Sequence, residues 1–171
     1  GCTSLVDVPD LPAENLGLNG SMYSYQDMFK GCTALVNAPK ILATKMGKGS
    51  CTSMFEGCEA LVKAPALPAT TLAANCYDSM FRYCKNLTEA PILAATTLVS
   101  QCYSQMFEYC ESLGELVCLA QVDSSGGTGF TFNWLIGVGS SGTFYASIYV
   151  VDLLYWKSDV PEGWTTEYYS E

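Results

Sequence analysis

The sequence predicts an α/β solenoid: a right-handed coil of similar turns, with short parallel strands on one side, helices on the other and a β-hairpin cap at the C-terminal end. Two observations carry this reading. Met28-Phe29-Lys30-Gly31-Cys32, Met54-Phe55-Glu56-Gly57-Cys58, Met80-Phe81-Arg82-Tyr83-Cys84 and Met106-Phe107-Glu108-Tyr109-Cys110 recur at a constant offset of 26 residues, each followed by Leu35, Leu61, Leu87 or Leu113. The first three copies then continue with Ala38-Pro39, Ala64-Pro65 and Ala90-Pro91. A fixed period of this length signals stacked supersecondary units, because one unit cannot bury its apolar face alone.

The strand of each unit follows its Leu. Leu61, Ala64 and Leu67 are matched by Leu5, Val8 and Leu11; by Leu35, Ala38 and Ile41; by Leu87, Ala90 and Leu93; and by Leu113, Leu116 and Leu119. All are apolar. The position of Lys63 holds Asp7, Asn37, Glu89 and Glu115 in the other units. One side faces in and the other faces water, as in a half-buried extended segment. Pro9, Pro39, Pro65 and Pro91 cut it short, because proline has no N–H for a ladder.

The helix is expected in the second half of each unit. Leu72, Cys76, Met80 and Cys84, and again Leu98, Cys102, Met106 and Cys110, stand four apart. That spacing lays side chains along one helical stripe. Thr70-Thr71 and Thr96-Thr97 supply N-cap residues. The first full unit is four residues longer than the others around Gly17–Gly20, where a bulged loop is expected. Gly47-Lys48-Gly49-Ser50 should shorten or distort the second helix.

The array covers residues 1–119 in about five units, and a capping region covers 120–171. In the cap, 130–136 and 143–151 read as hairpin strands about a Gly137–Gly142 loop, and 123–129 reads as a linker. Trp134, Trp156 and Trp164 are assigned to the cap core. The alternative is a solvent-facing aromatic platform for sugar. Gly1-Cys2 matches Gly31-Cys32, so the chain is expected to begin inside a repeat, with upstream repeats and any export signal before it.

Composition narrows the function. Apolar residues make up 49% of the chain, charged residues 15%, and the net charge is -9 with no histidine. The negative sign argues against nucleic acid and anionic membrane surfaces. A Ser-His-Asp or Cys-His site cannot be built from this chain. The apolar runs are too short for a bilayer-spanning helix, so membrane insertion is not expected. No catalytic, cofactor-binding or metal-binding residue is assigned. Glu56 with Glu59, and Glu108 with Glu111, could mimic an acid-base pair, but opposite charges at matched positions read as solvated surface.

Nine cysteines admit three readings. They can be buried small apolar residues stacked unit over unit, partners in some disulfides if the protein is exported, or zinc ligands. Zinc is disfavoured by the absence of C-x2-C pairs and of histidine. Calcium on Asp7, Asp10 and Asn37 lacks any matching loop spacing.

The pattern Met-Phe-x-x-Cys-x-x-Leu-x-x-Ala-Pro, followed by Leu-Pro-Ala-x-x-Leu and Cys-Tyr-x-x-Met-Phe, resembles the BspA-like leucine-rich repeats of bacterial surface proteins. The resemblance implies a leucine-rich-repeat solenoid, display at the bacterial cell surface or secretion, a role in adhesion, and no catalytic residues. On that basis the chain is expected to be a non-catalytic binding module that contacts a protein partner, of host or cell surface, through its strand face. Asp7, Asp10, Asn37, Lys40, Lys63, Glu89 and Glu115 line that face, and their mixed signs suit a protein partner. The alternatives are a glycan-binding or phage-tail-like receptor module using the aromatic C-terminal region, and a structural spacer.

Overall fold

A computed structural model describes residues 1–121, 129–149 and 159–170. Trp156 and the stretch 123–128 lie outside them. Successive units do stack in parallel, but no α-helix occurs among the described residues: the one helical element is a single 3-10 turn, Leu18–Gly20, in the longer first unit. The expected helices are replaced by runs of consecutive β-turns at 23–32, 47–58, 73–84, 99–110 and 130–137. The α/β leucine-rich-repeat architecture is therefore not the fold. The described residues form a stack of coils without α-helix, the first four spanning 5–32, 35–58, 61–84 and 87–110.

Backbone hydrogen bonding explains how turns replace helix. Along 75–84, alternate N–H groups close local turns: Asp78 donates to Asn75 O, Met80 to Tyr77 O, Arg82 to Ser79 O and Cys84 to Phe81 O. The intervening groups donate to the next coil: Tyr77 to Cys102 O, Ser79 to Ser104 O, Phe81 to Met106 O and Tyr83 to Glu108 O. Coil 2 repeats the scheme from Gly49 to Cys58. Buried amides must find partners, and this ribbon satisfies them without a helical turn. Every fourth residue has positive φ: Gly49, Ser53 and Gly57; Asn75, Ser79 and Tyr83; Gln101, Gln105 and Tyr109.

The same four-residue pitch accounts for the helical stripe in the sequence. Cys76-Tyr77, Met80-Phe81 and Cys84 point inward, while Arg82-Tyr83 lie nearer the surface. Over two or three turns, a period of four cannot be told from 3.6. The Gly47 stretch is no distorted helix either. A Cβ on Gly47 would stand 2.3 Å from Ser21 O and 2.6 Å from Leu16 O, so glycine lets two coils meet backbone to backbone.

The core is a set of columns. Phe29, Phe55, Phe81 and Phe107 stack with ring centroids 5.4, 5.6 and 5.7 Å apart. Tyr77 stacks on Tyr103 at 6.0 Å. Stacking at this range adds to the area each ring buries. Trp134 continues the Phe column, since Phe107 donates to its carbonyl at 3.0 Å.

On the other side of each coil the prolines restrict pairing to isolated parallel bridges, among them Leu11 with Ile41, Asn37 with Lys63 and Lys63 with Glu89. Regular strands come only beyond them: β1 (Glu115–Cys118), β2 (Gly142–Ala146) and β3 (Trp164–Tyr168) form a parallel sheet in the order β1-β2-β3. The expected β-hairpin cap is therefore absent. Residues 130–136 are a turn run whose carbonyls accept from Tyr103, Gln105, Phe107 and Tyr109, and β2 lies parallel to both neighbours. A hairpin would need antiparallel partners. The fifth unit is also shifted by one residue, so that Cys118, not Leu119, pairs with Leu93.

Candidate functional site

All seven residues assigned to the strand face are exposed. The structure ties four of them to one another along the stack. Lys40 Nζ lies 3.5 Å from Asp10 Oδ2, and Asp10 Oδ1 accepts the Lys40 backbone N–H at 3.1 Å. Lys63 Nζ lies 2.6 Å from Glu89 Oε2. Asn37, Lys63 and Glu89 form one bridged row. Asp7 accepts the N–H of Val8. Glu115 opens β1, and in β2 its row passes to Thr143. Neighbours in one row lie at strand separation, where like charges repel. In this row Lys63 and Glu89 are opposite in sign on adjacent coils and pair instead.

Between coils 2 and 3 this face carries a groove of about 460 Å³, lined by Val36–Leu42 on one coil and by Lys63–Ala66 with Pro68 on the other. Its floor is alanine and proline. Asn37, Lys40 and Lys63 supply its only polar side chains. Val36 and Leu42 are 44% and 45% exposed, and Val6, Val62 and Ile92 continue the apolar surface onto adjacent coils. The sequence pointed to the charged residues of this face but missed the groove, which depends on how Pro39 and Pro65 stack.

The aromatic alternative loses two of its rings. Trp134 and Trp164 are buried, and their Nε1–H groups donate to Asp159 O at 2.8 Å and Gly139 O at 2.7 Å. Glu56 and Glu108 are not solvated surface either. Lys30 Nζ sits 2.8 Å from Glu56, and Arg82 Nε sits 2.5 Å from Glu108, whose side chain is 7% exposed. Lys30 is held above its ordinary value chiefly by its hydrogen bond to Glu56.

The cysteines are free thiols, all buried except Cys2. Cys58, Cys84 and Cys110 each donate Sγ–H to the carbonyl of Phe29, Phe55 or Phe81 on the preceding coil at 3.1 Å. Burial pushes the Cys51, Cys58 and Cys118 thiols up to about 12 and Cys102 to about 11. Cys76 and Cys110 are raised further, and Cys84 is raised well above its ordinary value, for the same reason. Among the described residues, no cluster of three Cys, Asp or Glu side chains could hold a metal, and no helix is long and apolar enough to cross a membrane.

Comparison of the chain with protein families, with characterised proteins and with solved structures returns no match.

Proposed function

We propose that this protein is a non-catalytic binding module that engages a protein partner through its strand-side face. The observation that supports this most is the apolar groove between coils 2 and 3, open to solvent and flanked by Lys40 and Lys63. Interfaces place an apolar centre within a polar rim, and this face has both. The repeat signature adds surface display and adhesion to the proposal. That part rests on the residue pattern alone, since the helical side expected of such repeats is replaced by turns.

A charge-swapped variant tests the reading. Lys63→Glu combined with Glu89→Lys keeps the pair within the stack while reversing what a partner meets. Thermal melting should be unchanged, because exposed pairs are worth only ~0.2–1 kcal/mol. Retention of surface proteins on beads carrying the variant should fall below that of the original chain. Retention equal to the original, with Ala66→Trp in the groove also without effect, removes this face from the proposal.

A further inference from the structure

We infer that the groove between coils 2 and 3 receives an extended acidic peptide segment that seats an apolar side chain between its carboxylates, an inference that rests on the strand-face reading above. The floor is made by Ala38, Pro39, Ala64, Pro65 and Ala66, none of which offers a polar side-chain atom. It can take only an apolar group, and burying one there is favourable in proportion to the area removed from water.

The backbone of the groove is open as well. Bridges flank it at Asn37 with Lys63 and at Lys45 with Thr71. Between those points, among the described residues, no backbone hydrogen bond joins 38–44 to 64–70. Pro39, Pro65 and Pro68 have no N–H to contribute. Leu42 is tied back toward coil 1 by the bridge of Ile41 with Leu11, but the N–H of Ala66, on an exposed residue, has no backbone partner among the described residues and is left for an extended chain laid over it.

Charge selects the kind of peptide. The lining holds Lys40 and Lys63 and no carboxylate. Their partners Asp10 and Glu89 sit on the outer coils, in exposed pairs that a ligand carboxylate can join or displace. Lys40 and Lys63 are the charged side chains of the lining, in a chain whose net charge is -9. An acidic segment is repelled elsewhere and drawn here. The lining has no exposed aromatic ring, and Asn37 supplies its one side-chain amide. Sugar hydroxyls would find few partners, so an acidic glycan fits less well.

The probe is a fluorescein-labelled octapeptide of alternating Glu and Leu, followed by anisotropy against the full chain. Binding should weaken with added salt and fall at least about tenfold, as for loss of a central anchor, in Ala66→Trp, which fills the groove, and in the double variant Lys40→Gln with Lys63→Gln. The Lys-Leu and Glu-Ser octapeptides should bind far less. Circular dichroism identical to the original chain confirms that each variant is folded. Equal binding by the Lys-Leu peptide, affinity unchanged in Ala66→Trp, or preferential binding of alginate oligomers overturns the inference. Those outcomes leave the strand-face reading intact, which fails instead when protein retention on beads ignores the same substitutions.

Discussion

Gly57 shows what single residues must tolerate here. Its φ of +73° places it where an L side chain is strained, and Ser53 and Tyr83 occupy equivalent sites with a Cβ. Substitution to Ala at Gly57 should lower stability by about 1 kcal/mol. At Gly114 the added methyl would meet only an ordinary 3.6 Å contact with Ser141 O on unstrained backbone, and Ala should be close to neutral. Urea midpoints of the two variants check the contrast. The sequence displayed the inward Cys, Met and Phe columns plainly, because burial forces identity at a fixed period. It hid the left-handed positions, which are filled by Gly, Asn, Ser, Gln and Tyr in turn, so that no single residue type marked them.

At the scale of the element, the turn ribbon is held by charges whose burial differs from column to column. Lys30, Glu56, Arg82 and Glu108 alternate in sign over four coils, with pairs formed at Lys30–Glu56 and Arg82–Glu108. Arg82 also lies over the Tyr83 ring, 4.8 Å from its centroid. Arg82→Glu would set a like charge against the enclosed Glu108 and should cost about 3–5 kcal/mol. Lys63→Glu, in an exposed pair, should cost under about 1 kcal/mol. Chemical denaturation of the two variants measures the difference. Strand-side segments were legible, because Pro and alternating burial define them. The ribbon was misread as helix because a four-residue pitch of paired inward side chains imitates a helical stripe. The deciding information lies in hydrogen bonds to the next coil, which are invisible within one unit.

For the whole molecule, the thiols couple stability to pH. Seven buried cysteines have thiols raised by burial, whereas an unfolded thiol ionises near its ordinary value of 9.0. Between that value and the folded values of about 11 to 12 or higher, the unfolded chain releases protons that the folded chain keeps. Stability must therefore fall as pH rises through this window. Buried Tyr77 and Tyr103 act in the same sense at somewhat higher pH. Denaturation should be flat with respect to thiol ionisation below about pH 8 and collapse cooperatively above about pH 9. Replacing Cys76 and Cys102 by Ala should make the alkaline fall less steep, as equilibrium melts at graded pH would record.

Packed helices keep axes about 8–10 Å apart, whereas neighbouring strands sit about 4.8 Å apart; a protein with one on each side is wedge-shaped and bends into a horseshoe. Here turns and strand segments both advance by one hydrogen-bonded step per coil. The wedge is gone, and with it the reason for a concave cradle.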